Sequence, residues 1–506
     1  MGEMGKKLLR GSAARLVASF VMLVVGLFLM PIVIRALGDR HYGIWALSAS
    51  ILGFYGLFDL GISNAVARFV SRALGTQDEG DLLDFFATSF YLLCGLGLVV
   101  LLLAGGLALC GGYLLEDAAD VELFKWLAVI LGASIALRFP TRAFDGVLKS
   151  HLRYDLLSGV EIVGSVLRVP MILLVLRFGY GLLGMAVVSA ALELSMETAK
   201  VALALRVHPG LGVGVSRLSW ARAKTILGYG SNVLVASMAD ILRFKISPFV
   251  ITIFRTVSLV TPFAIAARLA GIISQLSLSL VGVLTPMFSR LEGRGDWQRI
   301  RSSYLLACRI ATYTSVLLGG MMVLLGKAFV IRWLGAQYVH VVPLLYVLTA
   351  GAVFTCAQIP GMSFLYGTSR HKFYAVSNIT HGLLTLVFTC ALIGPFGLMG
   401  VAAGMAIPSF LIKFFLQPLY VCRVLRMSAG QWYFQYVLRD YLVPLGYTLC
   451  LAVVCRPLIT PSYPSIFLVA IAGCVLFVPY TLLVGFSPPQ RRQILDSAIF
   501  IPRPVM

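Results

Sequence analysis

The feature that most constrains this chain is a succession of apolar runs of 19 to 25 residues, of which Leu16 to Ile34 and Phe85 to Leu109 are the clearest. A helix rises about 1.5 Å per residue, so a run of that length covers the ~30 Å of hydrocarbon in a bilayer. Inside lipid no water reaches the backbone N–H and C=O groups, and only helices or closed barrels satisfy them internally. A barrel needs roughly ten-residue segments of alternating polarity, and no such alternation is present. Apolar residues make up 59% of the 506 and charged residues 12%, against roughly a quarter charged in a soluble domain. The pattern predicts an all-α polytopic membrane protein and excludes a water-soluble fold.

About fourteen transmembrane helices are expected, at 16–34, 44–67, 85–109, 123–137, 156–176, 181–205, 225–254, 257–285, 304–326, 341–365, 373–394, 396–421, 441–459 and 464–486. The fourth is short, bracketed by Lys125 and Arg138, and is expected to continue past Pro140 with a kink or to end there. The first run exceeds a signal-peptide core and lacks a small-residue cleavage pattern after it, so it reads as a retained helix. The chain has 41 Lys and Arg residues, and most fall on one alternating set of loops and termini, which places both termini in the cytoplasm. The net charge of +20 then reports topology and attraction to anionic lipid, not nucleic acid. The loops between spans are short, leaving no room for a soluble catalytic domain. The nine cysteines show no CxxC or Cys/His spacing and the six histidines are dispersed, so neither a metal site nor a nucleophile with its base can be assembled. No cofactor is expected.

The chain also repeats itself. Pro31-Ile32-Val33-Ile34 returns as Pro248-Phe249-Val250-Ile251, and Arg153 as Arg370, both 217 residues later. GLLGMA at 181–186 returns as GLMGVA at 397–402. Matches at offsets of 216 and 217 and at equivalent places of equivalent spans imply two six-helix halves. An even number of helices gives both halves the same orientation, so the expected architecture is two parallel six-helix lobes around a central cavity plus two C-terminal helices. The corresponding domains are 1–210, 217–425, and 430–506 for the two extra helices and a cytoplasmic tail.

Five strings, PIVIRALGDRHYGIWAL (31–47), FDLGISNAVARFVSRA (58–73), GVLKSHLRYDLL (146–157), TPMFSRLEGRGD (285–296) and VIRWLGAQY (330–338), resemble the polysaccharide transporters. These are the O-antigen and exopolysaccharide flippases of the multidrug/oligosaccharidyl-lipid/polysaccharide exporter superfamily. The twelve-plus-two layout extends the resemblance over the whole chain. It implies a flippase of a bacterial cytoplasmic (inner) membrane, active in exopolysaccharide or lipopolysaccharide biosynthesis. The implied substrate is an undecaprenyl-pyrophosphate-linked oligosaccharide moved from the cytoplasmic to the outer leaflet by alternating access. A polysaccharide polymerase and a chain-length regulator are the implied protein partners. A lipid II flippase and a multidrug or cation antiporter share the fold and stay as alternatives. A membrane polymerase or ligase is disfavoured because the longest outward segment, Cys110 to Glu122, is short and acidic.

Ionisable side chains inside the spans are costly and are expected to face the bundle interior with partners. The cations are Arg168, Arg243, Lys245 and Arg268, read as a lining for the pyrophosphate, with Arg309 expected to snorkel to the interface. The acids are Asp59, Glu161, Glu193 and Asp240. The bland reading is internal pairing, Asp240 with Arg243 and Glu161 with Arg168. Glu193 has no cation on its own helix nearer than Lys200, so it is a candidate for ion coupling, as are Asp59 and Asp240. Asp59 has the alternative of a local polar contact at a helix crossing. Prolines 31, 170, 248, 286, 360 and 408 mark expected kinks or breaks.

Overall fold

The computed structural model describes residues 3–59, 61–228, 238, 242–243, 245–281, 284–486, 488 and 491. Among them there is helix and turn and no strand. The N-terminal helices are α1 (Glu3–Phe54), α2 (Ile62–Thr76), α3 (Glu79–Leu109), α4 (Ala118–Arg138), α5 (Arg142–Ser150), α6 (Tyr154–Arg177) and α7 (Gly181–Val207). After them come α8 (Ile246–Phe254), α9 (Val260–Val281), α10 (Leu284–Gly293), α11 (Trp297–Trp333), α12 (Val342–Ala357), α13 (Ile359–Gly367), α14 (His371–Phe410), α15 (Gln417–Val424), α16 (Leu438–Cys455) and α17 (Tyr463–Val484).

Ten segments among the described residues are long and apolar enough to cross a bilayer. Two of them hold two expected spans each. α1 is interrupted at Gly38 (φ 75°, ψ 170°) and α14 at Gly397 (φ 56°, ψ −136°), backbone conformations that a Cβ disfavours. The expected fourth span is α4, which stops at Arg138 rather than running through Pro140; Phe139 keeps α-region dihedrals (φ −61°, ψ −52°) and closes the helix with its N–H on the Ala136 carbonyl. The expected second span is not continuous. Its helix ends at Phe54, a 3₁₀ turn follows over Tyr55–Asp59, and α2 starts after Gly61 in the left-handed region (φ 68°). The expected seventh span lies partly outside the described residues, and its last part is α8.

The repeat offset recurs in the backbone. Leu152 (φ 59°) and Ser369 (φ 54°) are both left-handed and non-glycine, and each is followed by the repeated arginine. Arg153 N–H donates to the Leu148 carbonyl at 2.9 Å and Arg370 N–H to the Leu365 carbonyl at 2.8 Å. These are the long bonds that close a helix C-terminus before the next helix starts. Asp78 and Asp296, 218 residues apart, match at nearly the same offset. Asp78 accepts from Asp81 N–H at 2.8 Å to cap α3, and Asp296 accepts from Arg299 N–H at 3.0 Å to cap α11.

The chain divides into two compact units, 1–264 with 378–401, and 265–377 with 402–506. In the first, Ile62, Val66, Phe86, Phe139, Phe144 and Leu148 form a core shared by α2, α3, the end of α4 and α5. Just past the Gly38 break, Arg40 reaches Asp117 at 2.5 Å and Asp120 at 2.7 Å at the start of α4. Arg40 and the Ala119 N–H hold the Asp117 carboxyl below the usual carboxylate range. In the second unit, Phe288, Tyr304, Phe364 and Trp432 pack in one cluster. Tyr313, Met321, Tyr447 and Phe477 pack in another, which joins α16 and α17 to α11.

Candidate substrate-binding site

On α6 the exposed apolar residues Val163, Val166, Leu167, Met171 and Leu174 make one face, and the buried Gly164, Ser165, Ile172 and Val175 make the other. Arg168 shares the packed face, at i+4 from Gly164. It stands fourteen residues from the start of α6 at Tyr154, which is ~20 Å along the axis. On α7, Ala186, Ala190, Glu193, Glu197, Lys200 and Ala204 fall at alternating spacings of three and four, and so form a single stripe. The alanines let α7 approach its neighbours closely. The three charged residues then meet groups from α4, α5 and α6.

Arg168 donates to Glu193 Oε1. The other carboxylate oxygen, Oε2, lies 3.0 Å from Arg138 Nη2 at the end of α4. Arg138 also reaches one turn further, with its Nε 3.9 Å from Glu197 Oε1. Glu197 accepts from Thr141 Oγ1 at 2.7 Å and from Lys200 Nζ at 3.0 Å, and Lys200 lies 3.8 Å from Asp145 on α5. Burial pushes the Asp145 carboxyl up to about 6, although Lys200 opposes the shift. Asp59, in the turn before α2, accepts from Ser63 at 2.8 Å and lies 3.7 Å from Arg142 on α5. The result is a continuous polar ladder through the first unit, from Arg168 to the short helix α5.

Two guanidinium groups therefore converge on one carboxylate. The Nε–H groups of Arg138 and Arg168 are both buried and have no hydrogen-bond acceptor. A buried donor without a partner is expensive. An anion with several oxygens could fill both donors, since guanidinium binds phosphate through two parallel N–H groups.

The expected pairing of Glu161 with Arg168 is corrected here. Glu161 and Arg168 are two turns apart, ~10 Å along the helix, and the partner of Arg168 is Glu193 on the neighbouring helix. Glu193 does have cationic partners, supplied by α4 and α6 rather than by its own helix. Arg309 does not snorkel. It is 6% exposed and its Nε is 2.8 Å from Asp440 Oδ1 on α16. Arg243 is buried and belongs to the first unit, where the exposed Lys245 also lies, with its main-chain carbonyl accepting from Ser50 Oγ on α1. Arg268, on α9 in the second unit, is exposed between the buried Ala266 and Leu269. Asp240 lies outside the described residues.

Arg138, Glu197, Lys200, Asp145 and Asp440 were not among the expected site residues. The spacing of Glu193, Glu197 and Lys200 on one helical face was a usable signal; the partners on α4, α5 and α16 had none in local sequence. Lys413, within the expected span 396–421, was not among the expected site residues either. It sits 3% exposed in a π-helical turn over Leu411–Leu416, donating to Gln417 Oε1 at 3.0 Å, and its Nζ is 5.0 Å from the centre of the Tyr374 ring. Such turns occur often at functional sites.

The long apolar helices define a multi-pass helical membrane protein, with a ladder of buried charge in its first unit. The same fold is found in the lipid II flippase MurJ in its inward closed conformation (TM-score 0.72, 12% identity, 95% of this chain and 99% of that one). It is found also in an inward-facing multidrug resistance MATE family transporter (TM-score 0.71, 16% identity, 83% and 99%). The chain belongs to the polysaccharide biosynthesis protein family, whose sequence profile matches residues 32–343. Among its relatives, the uncharacterized membrane protein EpsK of Bacillus subtilis is 20% identical over 504 residues, covering 96% of each chain. A protein of Shigella flexneri described as "Putative O-antigen transporter" is 20% identical over 396 residues, 76% of this chain and 91% of the relative.

Proposed function

We propose that this protein is a flippase that moves an undecaprenyl-pyrophosphate-linked oligosaccharide, an O-antigen or exopolysaccharide repeat unit, from the cytoplasmic to the outer leaflet of a bacterial inner membrane. The family and the O-antigen transporter relative support the class of substrate. The observation that bears most on mechanism is the convergence of Arg138 and Arg168 on Glu193 with the Nε–H of each unfilled. A diphosphate presents two phosphoryl groups, one for each guanidinium. Arg243 and Lys245, and Arg268 in the second unit, offer further positive charge to the same class of anion. Asp59 and Asp240 remain proposed coupling groups. Residues 1–210 and 217–425 are read as the two repeated lobes, a reading supported by the paired Leu152/Ser369 and Asp78/Asp296 turns, with 430–506 as the additional helices and tail. Membrane lipids, a polymerase and a chain-length regulator are its proposed partners, and no cofactor is proposed.

In a host lacking the native gene, Arg168→Ala is expected to lower export of the glycan at least tenfold while the protein stays inserted, because a guanidinium contact to phosphate is lost. Arg168→Lys should restore part of it, since a single ammonium cannot reproduce the planar fork. If Arg168 only balances Glu193, the double change Arg168→Ala with Glu193→Ala would restore export, and that recovery would overturn the substrate-contact role.

Orientation has its own test. In a chain with the native cysteines replaced, single cysteines at 111–120 and 335–340 should react with an impermeant reagent from outside sealed cells. Cysteines at 76–80, 210–216 and the C-terminus should not. External labelling at 210–216 would reverse the proposed direction of transport.

A further inference from the structure

The ladder in the first unit has a feature that an anion site alone does not require. Glu193 lies at the centre of the cations and occupies one N–H face of each arginine, Oε1 on Arg168 and Oε2 on Arg138. We propose that Glu193 is an internal surrogate for the substrate's phosphate and sets the selectivity of the site, admitting a diphosphate and excluding a single phosphate. The proposal rests on the reading of Arg138 and Arg168 as the phosphate contacts.

With Glu193 in place, an incoming anion meets one net positive charge fewer than it would without it. A single phosphate has one phosphorus centre. To take both arginines it must displace the carboxylate one for one, and the displaced carboxylate stays nearby on α7 as a like charge. A diphosphate instead places one phosphoryl group on each guanidinium. It can fill the two buried Nε–H groups that Glu193 leaves empty, so displacement ends with more hydrogen bonds than it began with. Arg138 is not stranded by the exchange, because Glu197 already stands 3.9 Å from its Nε. Glu197 is itself tied to Thr141 and Lys200, so the lower ladder stays satisfied while Glu193 is released. Specificity of this kind comes from a built-in competitor as much as from attraction. Glu193 touches the binding groups rather than the ligand, which makes it a positioning and selectivity residue.

The test uses the full-length protein in lipid nanodiscs, with inorganic pyrophosphate and inorganic phosphate as probes and affinities measured by calorimetry. The unaltered protein is expected to bind pyrophosphate at least tenfold more tightly than phosphate. In Glu193→Gln, which keeps the shape and removes the charge, both should bind more tightly, phosphate gaining more, so that the preference falls to roughly threefold or less. Arg138→Ala should also shrink the preference, but by weakening pyrophosphate, because Glu193 then competes for a single guanidinium. A preference unchanged in Glu193→Gln, or in Arg138→Ala should the first variant not accumulate, would overturn the selectivity role while leaving the anion site standing. Failure of pyrophosphate to bind both the unaltered protein and Glu193→Gln would overturn the anion site itself, and the proposal with it.

Discussion

Arg309→Ala is expected to remove most of the folded protein from the membrane, leaving less than about a tenth of the normal monodisperse fraction on size-exclusion chromatography. Arg309 and Asp440 have side chains only 7% exposed each, and their 2.8 Å contact joins α11 to α16. The same guanidinium donates to the Gly485 carbonyl at 3.4 Å through Nη1 and lies 5.9 Å from the Phe486 ring centre, at the end of α17. Tyr313 also donates to the Gly485 carbonyl, at 3.4 Å. One arginine therefore ties three helices, among them both of the additional C-terminal helices. Breaking a buried pair by removing one partner costs roughly 3–5 kcal/mol, because the remaining charge is left uncompensated. That is a large part of the ~5–15 kcal/mol by which folded domains are stable. Asp440→Ala should be as damaging. The double change Arg309→Met with Asp440→Leu should recover most of the loss, because an apolar pair of similar volume leaves no charge behind. A double variant no better than the singles would show that the pair is needed for more than mutual neutralisation.

The second large effect is expected at Gly43, where the second half of α1 passes the 3₁₀ turn Val257–Leu259. A Cβ on Gly43 would stand 2.2 Å from the Val257 carbonyl oxygen and 3.0 Å from its carbonyl carbon. The obstructing atoms are backbone, which cannot rotate away as a side-chain tip can. The turn is also pinned to α1 by Thr261 Oγ1, which donates to the Asp39 carbonyl at 2.6 Å. Gly43→Ala must then separate the two backbones, and overpacking of this kind costs about 1–3 kcal/mol, occasionally more. We expect the apparent unfolding temperature to fall by about 5 °C or more in a thermal shift experiment, taking roughly 2–4 °C per kcal/mol. Gly53→Ala is the comparison. Its Cβ would meet only the Lys245 side chain, at 3.5 Å, so its unfolding temperature should move far less. Equal shifts at the two positions would show that the close approach at Gly43 does not limit stability.

Much of this protein was determined by its sequence alone, because the bilayer enforces local rules. A run such as Phe85 to Leu109 has to be helical wherever it lies, since nothing else in lipid can satisfy its backbone. The repeat was legible for a related reason: Arg153 and Arg370 follow identical left-handed turns, and the chemistry of a turn is local. Tertiary structure alone decided which charges meet. Glu161 and Arg168 share a helix face, yet the partner of Arg168 is Glu193, because opposite charges at one level on packed helices are closer than charges two turns apart on one helix. Arg309 looked able to reach water only while Asp440, 131 residues later in the chain, was unknown as its neighbour. The breaks at Gly38 and Gly61 were hidden for the complementary reason. A glycine permits a left-handed backbone without requiring it, and it is the packing of the following helices that selects that conformation at these two positions.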